Sequence, residues 1–398
     1  MRRMALLAVL VPGPALADPV TLRPLIDARL RYEQAEQDGA AADAEAATVR
    51  MRAGVEAKSG PFAVLVESEA TLAIAGDFNN GLNGRPGPVI GDPQNVELNR
   101  AQVQFTGLPK TVVTVGRQRI NLDDQRFVGN AGWRQNEQTF DAVRLEWTGV
   151  PKLRADVTYS WSNRTIWGVD GAAARPQAIS GNSMFATLGY ATPRFGVTGF
   201  AYLADLDEAA VQGFRLSSQT YGIRATTTVP VGRAKFGLLA SYARQSDWHN
   251  NPASYAASYL LGEGWIEASG FKLTAGYEVL GADTGAALTS LQTPFATLHK
   301  FNGWADKFLI TPPNGLRDTY LGAGYTKGSL SGQVVWHSFA SDRLGLAYGR
   351  EWNAQLAYRA SPRIVLTAKY ADYTRDGAAD FAGDGDTSKL WLQLEYRI

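Results

Sequence analysis

Leu153-Arg154-Ala155-Asp156-Val157-Thr158-Tyr159-Ser160-Trp161 sets five apolar or aromatic side chains against four polar ones in strict alternation. A period of two belongs to a β-strand, whose successive side chains point to opposite faces. A soluble sheet would turn the apolar face into a core. A membrane barrel turns it to lipid and aims the polar face at an aqueous interior.

The pattern recurs in both directions along the chain. Towards the N-terminus, Val20, Leu22, Ile26, Ala28, Leu30 and Tyr32 alternate with Arg23, Asp27, Arg29, Arg31 and Glu33. Ala47, Val49, Met51, Ala53, Val55 and Ala57 then alternate with Arg50, Arg52, Glu56 and Lys58, and Val143, Leu145 and Trp147 with Arg144, Glu146 and Thr148. The last run sets Leu390, Leu392, Leu394, Tyr396 and Ile398 against Gln393, Glu395 and Arg397. Trp147, Trp161, Tyr190, Tyr370 and Tyr396 fall on the apolar set near strand ends, as an interfacial aromatic girdle would.

Eight tight turns punctuate these runs: Ser59-Gly60-Pro61, Gly107-Leu108-Pro109, Gly149-Val150-Pro151, Thr192-Pro193, Pro230-Val231-Gly232, Ser269-Gly270, Lys327-Gly328 and Ser361-Pro362. Between them lie longer polar segments such as 77–96, 165–182, 281–317 and 376–388. Short turns alternating with long loops predict an all-β fold, a transmembrane antiparallel β-barrel of about 18 strands with short periplasmic turns and longer extracellular loops. Closure is forced, because in lipid every backbone N–H and C=O must be paired within the protein and a sheet achieves that only by meeting itself. A barrel of about 18 strands encloses an aqueous lumen unless loops fold into it.

Composition agrees. Among 398 residues 19% are charged, none is Cys, and mean hydropathy is −0.18. No later run reaches the ~20 apolar residues of a spanning helix. Arg2 and Arg3, the apolar run from Met4 to Val11, and Ala15-Leu16-Ala17 read as a secretory signal. Residues 1–17 are therefore expected to be a signal peptide, and 18–398 the barrel in the outer membrane of a Gram-negative bacterium. No plug domain is expected before the first strand, so energy-coupled import is not. The chain carries 39 basic and 38 acidic residues, a balance that gives no basic patch for nucleic acid.

Two segments carry the candidate chemistry. The first runs from Gly116 through Arg117, Arg119, Asp123, Asp124, Arg126 and Phe127 to Trp133, Arg134, Glu137 and Asp141, with Arg144 following on a strand. Arg117 and Arg119 are expected on one face. The second is Thr297-Leu298-His299-Lys300-Phe301-Asn302-Gly303-Trp304-Ala305-Asp306-Lys307-Phe308, inside the longest loop. It reads as a loop plug or gate, with Trp304 and Phe301 as anchors and Asp306 paired with Lys307 or Lys300. The plainer reading is a packed extracellular loop. The Gly-rich segment 76–91 could fold over the mouth.

At these residues the chain resembles the alginate-export family of outer-membrane proteins. The resemblance implies an 18-stranded monomeric barrel that conducts an anionic uronate polysaccharide past an arginine-rich constriction. It implies Arg117, Arg119, Arg126, Arg134 and Arg144 as lumen cations, with Asp123, Asp124 and Glu137 as their acidic partners. The physical logic is independent of the family. Guanidinium is always charged and binds carboxylate bidentately, and several weak sites pass an ion better than one tight site. The competing reading of each arginine is a cross-strand ion pair that only stabilises the wall. Two features depart from the family: many lumen acids (Asp27, Glu33, Glu56, Glu67, Glu69, Asp156) offset the cations, and the last internal turn, Ser361-Pro362-Arg363, is too short for a periplasmic plug.

Other classes are poorly supported. His249, His299 and His337 are the only histidines and none sits near a Gly-x-Ser-x-Gly motif, so no enzyme is expected. A lone His299 makes no metal site, Asp384-Gly385-Asp386 reads as a turn before a calcium loop, and no cofactor is implied. The expected partners are outer-membrane lipid, the barrel-assembly machinery and an anionic saccharide. The alternatives are a substrate-selective uptake porin for small carboxylates, sugars or aromatic acids, and a blocked structural barrel.

Overall fold

The computed structural model describes residues 19–208, 212–377 and 385–398. The expected signal peptide, residues 1–17, and Asp384 lie outside the described residues. Eighteen strands follow in chain order: β1 (Thr21–Gln37), β2 (Ala44–Ser59), β3 (Phe62–Ala75), β4 (Asn95–Phe105), β5 (Thr111–Gln118), β6 (Thr139–Trp147), β7 (Leu153–Arg164), β8 (Ala178–Ala191), β9 (Phe195–Ala204), β10 (Ser218–Val231), β11 (Ala234–Asp247), β12 (Ala256–Ala268), β13 (Phe271–Leu280), β14 (Leu316–Lys327), β15 (Leu330–Ala340), β16 (Ala347–Arg359), β17 (Ile364–Arg375) and β18 (Thr387–Arg397). Each pairs antiparallel with its neighbours. β18 returns to β1, from Asp27 opposite Arg397 to Gln37 opposite Thr387, and closes the sheet. The Ile398 N–H donates to the Ile26 carbonyl at 2.9 Å and carries the seam to the last residue.

All eight expected tight turns join strand pairs, from β2–β3 to β16–β17, at one end of the barrel. The longer connections occupy the other end, with the six-residue link 38–43 the short exception. The expected alternation holds around the wall: Leu238, Leu321, Trp352 and Leu394 lie exposed outside, while Arg31, Arg50, Glu69 and Thr158 are buried inside. Tyr159, Trp161, Tyr221, Tyr242 and Tyr370 ring the long-loop end outside, and Tyr190, Phe195, Phe271, Tyr325 and Tyr358 ring the short-turn end. Leu321 stands midway along β14 on this outer face. Leu321→Arg is expected to cost about 2–4 kcal/mol, as a cation at the lipid midplane does. Urea titration of the refolded protein in bilayers checks it, with Thr274→Arg on the lumen side as a mild control.

The interior is not an open tube. Loops 119–138 and 281–315 fold inward and join each other through a parallel bridge between Val128 and Phe295. The Gly129 N–H donates to the Phe295 carbonyl at 2.8 Å, and the Thr297 N–H to the Gln125 carbonyl at 3.1 Å. Their apolar residues Ile120, Leu122, Val128, Leu291 and Phe295 meet inward-facing Phe140, Phe185, Phe200, Tyr202 and Tyr259 in one core. Burying each such aromatic stabilises the docked loops by roughly 1.5–3 kcal/mol. The segment 76–91 lies at the long-loop end, where the Gly81 carbonyl accepts from Arg175 of the β7–β8 loop. Its Phe78 and Ile90 pack on Ala35, Ala44 and Ala46 at the rim of β1 and β2.

Candidate functional site

Loop 281–315 is held at two aromatic points. Phe295 sits against Phe185 and Phe140, with ring centroids 5.3 and 5.9 Å apart, and Phe308 against Phe339 at 4.6 Å. These anchor the segment together with Trp304, which packs against the same core, while Phe301 lies under the Arg126 guanidinium. The turn between them runs left-handed at Asn302, Gly303 and Asp306 (φ +55°, +84° and +63°). Gly303 is required there, because a Cβ would lie 2.3 Å from Glu351 Oε2. The close approach lets the Trp304 and Ala305 N–H groups donate to Glu351 Oε1, at 2.5 and 2.9 Å. Asn302 bridges loop to wall: its amide donates to Glu278 at 2.7 Å, and its oxygen accepts from Arg126 at 3.0 Å.

Asp306 is the hub. It accepts from Arg134 Nη2 at 2.9 Å, Lys389 Nζ at 3.2 Å and the His299 ring at 2.7 Å. The expected pairing with Lys300 or Lys307 is not formed: Lys300 donates to the Asp124 carbonyl and Lys307 to Gly385 O and Thr387 Oγ1. Burial opposes ionisation of Asp306, but the His299 N–H, Lys389 and Arg134 hold its carboxyl well below the usual range. Burial, reinforced by Lys369 and Arg134, pushes His299 far down despite Asp306, so the ring is neutral. Its Nδ1–H then points at Asp306, and Nε2 accepts from Lys369 Nζ at 2.7 Å.

Every arginine singled out in the sequence is ion-paired. Arg117 makes a bidentate pair with Asp141 at 2.8 and 3.0 Å. It also occupies the register face of Val115, Val103 and Val143, on the outer wall, so it neither lines the lumen nor shares a face with Arg119. Arg119 pairs with Glu137 and with Glu67 (3.1 Å) on the inside. Arg126 pairs with Glu278 at 2.8 Å, and Arg144 with Asp156 at 2.5 Å. Glu137 is fully enclosed. Burial raises its pKa, but Arg52, Arg119 and the Asn99 amide outweigh that and take it down to about 2. These groups clamp loop 119–138 to the wall. Asp123 lies in a crevice with Phe127, Tyr202 and Arg224, while Asp124 pairs with Arg224 at 2.8 Å.

Beside this filled side runs a cavity of about 970 Å3. From the loops it takes Asp124, Trp133, His299, Lys300, Phe301 and Trp304, and from the wall Arg29, Lys272, Glu263, Tyr320 and Lys369. Among the described residues, three of its cations meet no carboxylate. Lys272 lies over Trp265 at 5.3 Å, Lys300 over Phe301 at 5.4 Å, and Lys369 over Trp304 and Trp133 at 3.8 and 4.1 Å. Glu263 is the acid there without a cation; it accepts from Tyr320 at 2.6 Å. Lys369 and Trp391 were not singled out in the sequence. Their signal was present: a cation and an indole on the inward register of β17 and β18, where an open lumen has no call for a buried ring. Trp391 packs edge-on to Trp133 and His299. No cluster of metal-ligating residues occurs among the described residues.

No curated protein sequence matches this chain. Solved outer-membrane proteins share its fold. OpdK of Pseudomonas aeruginosa matches with a TM-score of 0.70 at 12% identity, over 94% of this chain and 98% of that one. OccAB4 of Acinetobacter baumannii matches with 0.70 at 12%, over 97% and 100%. OccK9 (OpdG) of Pseudomonas aeruginosa matches with 0.71 at 16%, over 95% and 98%. The sequence model named alginate export matches residues 26–247, more than half of the chain, from β1 to the end of β11. With its closed 18-stranded wall and loop-narrowed lumen, the chain belongs to the alginate-export family of outer-membrane channel proteins.

Proposed function

We propose that this channel passes an anionic saccharide passively and selectively down its gradient, with no cofactor, no energy coupling and no catalysis. The observation that carries the reading is the composition of the passage beside the plug. Among the described residues, its basic side chains without a carboxylate are the exposed Lys272 and Lys300 and the buried Lys369, each on an aromatic face, against the single unpaired acid Glu263. Carboxylate is drawn to the ammonium groups while a sugar ring slides over indole and phenyl faces. Single point charges hold a carboxylate less tightly than a bidentate guanidinium, which favours release. The substrate path runs along Asp124, His299, Lys300 and Trp304, and the arginines brace it. The protein is exported with residues 1–17 as signal peptide, folded by the barrel-assembly machinery and active as a monomer.

Uptake of small carboxylates or sugars is the second reading. The docked loops narrow the lumen, which suits a short cargo better than a polymer. OpdK of Pseudomonas aeruginosa has been solved with vanillate, an aromatic carboxylate. Planar-bilayer recording tests both. The purified channel should show a reversal potential favouring anions, and uronate oligomers should block it at lower concentration than neutral oligomers of equal length. Equal block by the neutral oligomers would refute carboxylate recognition. Block by uronate monomers alone would favour the second reading.

A further inference from the structure

A second, smaller cavity lies on the long-loop side of the plug. It has a volume of about 260 Å3. Its apolar lining is Trp167, Ile166, Ile179, Leu298 and Leu309, and its polar lining includes Arg134 and Asn163. Trp133, Thr297 and His299 line both this cavity and the larger one. The two rings stack with centroids 4.8 Å apart and planes 8° apart. They are the partition between two chambers.

We propose that this smaller chamber is a distinct binding site for one ring-bearing carboxylate, a monomeric sugar acid or an aromatic acid, held on the long-loop side before it passes the Trp133–His299 partition. The proposal deepens the channel reading and rests on it. Pockets for drug-sized ligands span roughly 300–1,000 Å3, so about 260 Å3 takes a single ring. The chamber offers such a ring two indoles, Trp133 and Trp167, and aliphatic flanks. Trp167 is itself fixed, with the Arg175 guanidinium 4.8 Å from its ring.

Two polar groups await a partner. Asn163 is 4% exposed, lines the chamber and has no side-chain hydrogen bond among the described residues. Its amide opens onto the chamber and is free to bond whatever occupies it. Arg134 spends one nitrogen on Asp306, its single side-chain acceptor among the described residues, and its remaining N–H groups can take a carboxylate. The same Asp306 reaches His299 and through it Lys369 on the far side of the partition. An anion leaving Arg134 thus meets Lys369 next.

The test is calorimetric titration of the detergent-purified full chain with glucuronate and, separately, benzoate. Asn163→Leu removes the amide, and Ile179→Trp fills the chamber. Each should weaken binding of at least one probe about tenfold, the loss expected for one good polar contact or a blocked seat. Lys327→Met, exposed at the short-turn end of β14 and outside both cavities, should leave that affinity within twofold. Wild-type affinity in both Asn163→Leu and Ile179→Trp would overturn the proposal, as would wild-type protein that binds neither probe. In either case an anion-selective current in bilayers would leave the channel reading standing, and its absence would remove that reading separately.

Discussion

Asp306→Ala should unseat the plug: conductance rises severalfold, the current flickers, and loop 281–315 becomes open to protease. Asp306 is the one acidic group joining Arg134, Lys389 and His299, and all four are buried. Removing one member of such a buried set leaves the remaining cations unpaired, at a cost of about 3–5 kcal/mol. That is enough to move a docked loop to a mostly undocked one if docking is stable by a similar amount. The barrel itself should survive, since β1 to β18 close without this contact. Arg134→Ala on the Asp306→Ala background should add little, because the partner has already gone. Acid should reproduce the effect. Asp306 and Glu137 both have folded-state pKa values below their unfolded ones, so the stability they supply is complete above the ordinary carboxyl range near 4 and fades as pH falls further. For Glu137 the loss finishes around its folded value of about 2. Wild-type conductance should therefore hold steady from neutral pH to about 4 and climb only below it. A rise centred at pH 6–7 would point to a group other than these two carboxylates and sink this account.

Lys272→Met, Lys300→Met and Lys369→Met combined should abolish anion preference and bring the reversal potential close to that of a neutral pore. Among the described residues these three are the basic groups of the passage that meet no carboxylate, so their removal leaves Glu263 as its dominant unbalanced charge. Uronate block should weaken about tenfold, chiefly through the exposed Lys272 and Lys300 at about 0.5–1 kcal/mol each in their wet, screened setting, with Lys369 buried between Trp133 and Trp304. Neutralising Arg119 and Arg126 should act differently. It strands Glu137 and Glu278 inside the protein, so the first symptom is loss of folded or loop-docked protein rather than of selectivity. Should the arginine variant lose selectivity with an intact plug while the lysine variant keeps it, the roles are reversed.

The wall was legible in the sequence because lipid and water impose opposite demands on neighbouring residues, and a turn every other strand marks the count. Each of the eight tight turns sits where its Gly, Pro or Ser demanded. The lumen was less legible, for a physical reason. A charged residue at an inward position looks the same whether it faces water, a substrate or a carboxylate from a loop far along the chain. Arg126 finds Glu278, and Arg134 finds Asp306, only through loop docking. Arg117 was misplaced on the lumen side because strand β5 ends at Gln118, so Arg119 turns inward off the strand instead of continuing the outward face. The rings were the missed clue. Phe140, Phe185, Phe200 and Tyr202 break the polar inward rhythm, and each one marks a place where the chain folds back upon its own wall.

That filling divides the barrel into two territories. The inward faces of β3 to β9 grip the loops, as do the long-loop halves of β12 to β18 through Tyr259, Glu278, Phe339 and Glu351, and these are committed to architecture. The short-turn halves of β12 to β18, at Lys272, Gln333, Gln355 and Thr367, border the passage. Variation that retunes cargo is therefore confined to the second territory, where a new side chain meets water and solute. In the first the same change meets packed protein and is tolerated only if it preserves shape. A family built on this plan can diversify what it carries by rewriting the short-turn half of one arc of its wall.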